Sequence, residues 1–474
     1  VFFTNMPTNA SMVQNSVTFK TQYDNGKVVG HDSRLDQLAG GMITDMNQII
    51  DKFNLPTTIE KHVAGSKISG VAQDFKMPQV WKSSIAVGYQ VPVSFPLTVT
   101  GEFMFTKNVN AVTINNINIK NPDEWKYNKL TTVKGADGKD VTTTELLHTG
   151  MQRFNGADNR MVYSYSLYDN PDKNVKYAGD FVHYNGKNAV VLDNTSKGYG
   201  YTANITVNAQ PVDDLMLMLA YTHTESKEVS GLPGSDPIST WQGLNTIDGS
   251  NYVDAQRSQY VVPDKVIASV GYYIPFRHKG LLRGTHLNLF YSGYSSGGFL
   301  GCYFPSLGEY DMNGDGINND LMYIPKDDSE INFKTEEDRV AFWKFVEQDS
   351  YLKNHKGQYA EAYAARAPWV HRFDFRLLED IEFKIGKTKH CFQLSFDIMN
   401  VGNLINSKWG ISKTNTVSNS NRILKYEGVK SATDLTPVFS MYKVNGEYPT
   451  KTYDTYQNYS ECWKLQVGIR YVFN

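Results

Sequence analysis

WKLQVGIRYVFN, residues Trp463 to Asn474, decides how the rest of the chain is read. From Trp463 to Phe473 the odd positions are Trp463, Leu465, Val467, Ile469, Tyr471 and Phe473; the even ones are Lys464, Gln466, Gly468, Arg470 and Val472. Successive side chains of a strand point to opposite faces, so one face is wholly apolar and the other almost wholly polar. A strand that crosses a bilayer at a tilt needs about 9 to 11 residues, and this segment has that length. It closes on two aromatics, Tyr471 and Phe473, where an interfacial girdle belongs.

The same two-residue rhythm recurs upstream. Tyr199, Tyr201, Ala203, Ile205, Val207 and Ala209 oppose Thr202, Asn204, Thr206 and Asn208, and Leu215, Leu217, Leu219 and Tyr221 return after a turn through Gln210 to Asp214. Three further hairpins are predicted on the same grounds. Trp81 to Tyr89 joins Leu97 to Phe105 across Pro92 to Pro96, and Val266 to Ile274 joins Leu287 to Tyr291 across Pro275 to Thr285. Phe373 to Ile385 joins Phe392 to Ile398 around Gly386 to His390. With the terminal strand this gives nine crossings.

Composition agrees with a wall between lipid and water. Hydrophobic residues make up 41% of the 474 and mean hydropathy is −0.43, yet aromatics reach 13%, with 30 Tyr and 24 Phe. No apolar run reaches the roughly 18 residues of a helical span, so a closed antiparallel sheet is the remaining way across a membrane. The net charge of −2 and the lack of a polybasic block give no sign of a nucleic-acid partner. Cys302, Cys391 and Cys462 match no zinc or redox spacing; they read as three unpaired residues, with a Cys302 to Cys462 bridge as the alternative.

Connections within hairpins are short, whereas those between hairpins run from about Thr106 to Gly198, Thr222 to Asp264, Gly293 to Val370 and Val401 to Cys462. Outer-membrane barrels combine short periplasmic turns with long extracellular loops, which places Asn474 at the periplasmic side. The expected fold class is therefore all-β: a transmembrane antiparallel β-barrel in the bacterial outer membrane. Single-chain bacterial barrels have even strand numbers, so nine calls for a strand hidden in residues 1 to 80 or 107 to 198, or for a barrel that continues upstream of Val1; the second is expected.

Several segments resemble one family. FDIMNVGNLINSKWG at Phe396 to Gly410 is similar to the penultimate-strand signature of large TonB-dependent transporters of Bacteroidota, Oar-like or SusC-like. So are GQYAEAYAARAPWVHRF at Gly357 to Phe373, PQVWKSSIAVGYQVPVSFPLTVTGEF at Pro78 to Phe103, NTSKGYGY at Asn194 to Tyr201 and the closing LQVGIRYVFN. The resemblance runs from about Pro78 to the end and implies a roughly 22-stranded barrel of which residues 1 to 474 are the C-terminal part. It further implies a plug domain and a TonB box, neither contained in this sequence. The implied function is active uptake of a nutrient such as a glycan, peptide or chelate, with TonB as partner through the missing N-terminal part. The alternative is a structural barrel subunit that docks a surface lipoprotein in a larger outer-membrane complex.

One motif has metal chemistry. Asp311, Asn313 and Asp315 followed by Gly316 set oxygen ligands at the spacing of a calcium loop, and Asp320 stands in for the absent bidentate Glu, Met322 occupying that place. The competing reading is an Asx-rich turn whose side chains bond their own backbone. Thr335 to Asp338 ahead of Val340, Ala341, Phe342, Phe345 and Val346 predicts an N-capped helix, and a second short helix is predicted near Gln358 to Ala365. Trp241 and Trp409, in or beside long loops, are candidate cargo-stacking residues, or loop packing. Glu102, Asp374, Arg376, Asp397 and Arg470 are assigned to the lumen face, with Asp397 and Arg470 touching a plug or each other. A nucleophile elbow, paired metal histidines, a phosphate loop and a dinucleotide fingerprint are all absent, so no enzymatic role is expected.

Overall fold

The computed structural model describes residues 68–169, 188–275, 282–295, 311–416, 422–456 and 458–473, together with short strand and helix pieces elsewhere. The chain is mostly β, and the bulk of its main sheet, which has 12 strands in all, is made up of nine long antiparallel strands. They are β1 (Gln79–Gln90), β2 (Leu97–Asn116), β3 (Tyr199–Val212), β4 (Leu215–Glu228), β5 (Asp264–Pro275), β6 (Leu282–Ser295), β7 (Trp369–Ile385), β8 (Thr388–Met399) and β9 (Lys464–Phe473). Each pairs with the next in chain order, from β1 to β9. All four expected hairpins and the terminal strand are present. Among the described residues no pairing joins β1 to β9, and no helix is long and apolar enough to cross a membrane.

Register converts the alternation of single strands into a property of the sheet. Residues directly opposite across a ladder share a face. Leu97, Ala209, Leu217, Val270, Leu289, Phe375, Ile398 and Leu465 are successive partners across β2 to β9, an unbroken apolar row. On the opposite face Asn288, Arg376, Asp397 and Gln466 are successive partners. A slip of one residue in any ladder would break both rows at once.

Among the described residues nothing covers the apolar face. Ile85, Val87, Phe103, Ile205, Leu219, Val270, Phe396, Leu465, Val467 and Ile469 are all exposed, Ile469 at 71%. The buried core lies elsewhere, in the long connections. Among the described residues no second layer packs on the apolar face of the sheet, as one would in an ordinary sandwich.

Two details differ from expectation. β2 continues past Thr106 to Asn116, and its far half pairs with Ala189–Thr195, which in turn pairs in parallel with Ile68–Val71. These two strands are only 7 and 4 residues long, so they extend the sheet at its long-loop end and supply no tenth full-length crossing. β6 starts at Leu282, ahead of the expected Leu287, and the connection between β5 and β6, 276–281, lies outside the described residues.

Candidate functional site

The connections at one end of the sheet fold into a body with its own core. Trp125, Tyr127 and Phe154 from the first long connection meet Met312, Met322, Phe342 and Phe345 from the third and Ile423, Tyr426 and Phe439 from the fourth. Helix α2 (Glu336–Gln348) builds one wall, following α1 (Pro237–Gln242) in chain order. Thr335 caps α2 as expected, its hydroxyl accepting the Asp338 N–H at 3.1 Å, and Glu336, Glu337 and Asp338 favour the positive end of the helix. Phe342, Phe345 and Val346 point into the core.

The second predicted helix is displaced. Asp349 caps α3 at Ser350–Asn354, accepting the Leu352 N–H at 2.9 Å. Gln358–Tyr359 is instead a short strand against Tyr323–Ile324. The backbone there is already committed: the Gly357 N–H donates to the Ile324 carbonyl at 2.7 Å and the Ala360 N–H to the Met322 carbonyl at 2.8 Å. Those bonds leave no intrahelical ladder.

Asp311–Asp320 sits at the junction of the connections. Asp311 Oδ1 accepts the N–H groups of Gly314 at 2.6 Å and Asp315 at 3.0 Å, and its Oδ2 accepts the Gly316 N–H. Asn313 Oδ1 accepts the Asp315 N–H at 2.8 Å, and Asp315 Oδ1 the Ile317 N–H at 2.9 Å. Gly314, at φ +81, is required twice over: it is left-handed, and a Cβ would meet the Ser164 backbone at 2.3 Å.

Asp320 has a different environment from the other three. Its Oδ2 accepts the Met312 and Asn313 N–H groups at 3.0 and 3.4 Å, and its Oδ1 lies 3.2 Å from Arg160 Nη1. Arg160 is wholly buried, forks onto Asp158 at 2.9 and 3.0 Å, and donates to the Leu321 carbonyl at 2.7 Å. Asp320 is therefore a strut between the loop and the first long connection. Burial, with the Asp320 charge beside it, pushes the Asp311 carboxyl up to about 7; burial and Asp311 push Asp315 well above the usual carboxylate range. Among the described residues no three His, Cys, Asp or Glu side chains converge in metal-holding geometry, so the loop offers two carboxylates and one carboxamide rather than a carboxylate cage.

The two tryptophans separate. Trp241 is 2% exposed, packs with Ile114, Val190, Ile238 and Ile317, and donates its indole N–H to Asn251 Oδ1 at 2.9 Å. Both its faces and its donor are used, which corrects the expectation that it stacks on cargo. Trp409 is exposed and lies over Gly402 of α4 (Val401–Ile405), where Phe373 of the apolar sheet face also approaches. Its exposed neighbours Leu404 and Ile405 extend that apolar face at the long-loop end.

All five assigned charges share the polar sheet face. Glu102 is opposite Asn204, whose amide donates to it at 3.3 Å; Asp374 accepts the Asn400 N–H at 2.7 Å; Arg470 is opposite Gln393. Asp397 takes a two-pronged bond from Arg376 on β7 at 2.5 and 3.2 Å and is opposite Gln466, so of the two expected contacts the one with Arg470 is not made, and the one with a plug concerns a domain outside this sequence. Cys391 and Cys462 are free thiols; Cys302 lies outside the described residues.

Sequence reasoning missed Arg160 and Asp158, because nothing near residue 160 signals a partner at 320. It also missed a cavity of about 730 Å³ between α2 and residues 447–450, walled by Val340, Ala341, Phe345, Tyr448 and Pro449. Only the exposed Val340 on an otherwise charged helix face hinted at it.

No match was found among protein-family models, curated proteins or solved structures.

Proposed function

We propose that the nine-strand sheet is the lipid-facing wall of a bacterial outer-membrane barrel, closed by further strands of the same protein, and that this barrel is a TonB-dependent transporter. The observation that carries the proposal is the uncovered apolar row from Leu97 to Leu465 backed by a row of polar and charged partners. An exposed apolar face of many strands is far larger than the few hundred Å² a soluble monomer leaves open, and acyl chains are the solvent that suits it. The polar face, with Glu102, Asp374, Arg376, Asp397 and Arg470, then lines a wet lumen or holds a plug. The long-loop body faces outside and captures cargo. Trp409, beside the upper rim of the apolar face, acts as an interfacial anchor in this arrangement rather than a cargo platform.

The test has two parts. The full-length protein is expected in the outer-membrane fraction, where it requires detergent for release; recovery as a monodisperse species in plain buffer refutes the wall. Uptake of a nutrient lost on deletion of the gene is expected to collapse with a protonophore or without TonB. Uptake that survives both refutes energised transport.

A second reading, a docking subunit for a surface lipoprotein, draws support from the ordered core of the long-loop body, which passive loops do not require. Stable co-purification of a lipoprotein in detergent, together with unimpaired growth of the deletion strain on every nutrient tested, favours it over transport.

A further inference from the structure

Asp311–Asp320 contains more negative charge than its surroundings offset. Among the described residues the cation paired with this group is Arg160, which is committed to Asp158, Asp320 and the Leu321 carbonyl, while Lys425, on the wall of the cavity beside Asp311, pairs with Glu427. Among the described residues no ion pair reaches Asp311 or Asp315. A second observation is independent of that cluster count. Asp315 Oδ2 is closed off from solvent and receives no hydrogen bond of good geometry. A buried carboxylate oxygen without donor or cation is costly, and native structures rarely keep one.

The loop backbone leaves the same oxygens available for a ligand. Asp311, Asn313 and Asp315 each accept backbone N–H groups of the loop itself, which fixes their side chains and leaves lone pairs free. A cavity of about 370 Å³ reaches Asp311 and Gly314 between Ser164 and Tyr426, so an ion has an access path.

We propose that Asp311, Asn313 and Asp315 bind one hard divalent cation of calcium size through side-chain oxygens. Asp320 positions the loop through Arg160. Calcium is favoured over magnesium because an all-oxygen set without octahedral geometry suits its larger and more variable coordination shell. Zinc and copper prefer nitrogen and sulfur ligands, which the loop lacks.

The bound ion ties together three long connections. The Tyr163 N–H donates to the Asn313 carbonyl at 2.6 Å, and the Ser164 hydroxyl to the Gly314 carbonyl at 3.2 Å. The Leu321 N–H donates to the Thr246 carbonyl at 2.7 Å, and the Asn319 amide to Ser250 Oγ at 3.0 Å. Occupancy therefore rigidifies the long-loop body while leaving the sheet unchanged. The proposal stands independently of transport, since it concerns the loops and not the lumen.

The test uses the full-length protein purified in detergent. Equilibrium dialysis against calcium is expected to give one ion per chain, bound at or below about 1 mM, the weak end for extracellular calcium modules. Terbium bound in its place is expected to luminesce on tyrosine excitation, because Tyr163 and Tyr426 lie near the carboxylates. Chelation is expected to speed proteolysis within residues 117–188 and 229–263 and to leave strands β1 to β9 intact. Asp315→Asn is expected to weaken binding by at least about tenfold. No stoichiometric calcium on folded wild-type protein overturns the proposal. So does unchanged binding by a folded Asp311→Asn, Asp315→Asn double variant. The wild-type measurement decides even if the variants fail to fold.

Discussion

Replacing Ile469 by arginine tests the wall most directly. β9 has ten residues, which at about 3.4 Å each and a tilt near 45° cover about 24 Å, close to the roughly 25 Å apolar band of such barrels. Ile469 is the outward residue nearest its middle, is 71% exposed, and faces Leu394 across the ladder. An arginine on the lipid face costs about 2 to 4 kcal/mol at the bilayer midplane and about 0 to 1 near the interfaces. Ile469→Arg is therefore expected to lose about 2 to 4 kcal/mol. Phe473→Arg, at the strand end, should lose about 1 kcal/mol or less beyond its packing. Gln466→Arg, on the polar face opposite Asp397, should be close to neutral. Reversible guanidinium unfolding of the protein in lipid vesicles gives all three numbers. The reasoning is refuted if Gln466→Arg costs more than Ile469→Arg, or if the cost is the same along the strand, since only a bilayer produces that depth dependence.

Three other outcomes follow from the long-loop body. Arg160→Met leaves Asp158 and Asp320 buried without their cation, and breaking one side of such a network costs about 3 to 5 kcal/mol, readable as faster proteolysis of the first and third long connections with the sheet intact. Thr335→Ala removes the α2 cap and is expected to cost about 1 kcal/mol in the unfolding of that body, with Thr335→Ser restoring most of it. Burial pushes the Glu461 carboxyl up, but Arg372 and Ser412 outweigh it and hold Glu461 below the usual glutamate range. Its stabilisation is therefore present above the ordinary glutamate pKa and lost as pH falls through the lower folded value; Glu461→Gln should flatten the acid limb of the melting curve, and an unchanged limb refutes the assignment.

The sheet was legible because its information is local. A period of two within ten residues is enough to set each strand's faces, and the turns between β3 and β4 or β7 and β8 announce themselves by short polar runs. The upper end of β2 was not, since beyond Thr106 it leaves the apolar alternation and is held by Ala189–Thr195, some eighty residues away. The long-loop body was the least legible part. Trp241 looks in sequence like any surface aromatic, and only Ile114, Val190 and Ile317, brought from three other segments, make it a core residue. The acidic loop could be read because its backbone bonds lie within ten residues; its strut, Arg160 to Asp320, spans 160 and gave no sign.

The placement of the core in the connections rather than against the sheet constrains how the protein is made. Asn155 bonds Asp434 across 279 residues, and Trp125 shares one interior with Phe439. That interior cannot close until residues near both 125 and 439 are present, so under the outer-membrane proposal the connections would cross as unfolded polymer and condense after the last strand is in place. On that proposal the condensed core of the connections would act as a latch on the finished wall, holding it by long-range contacts that the strands themselves do not make.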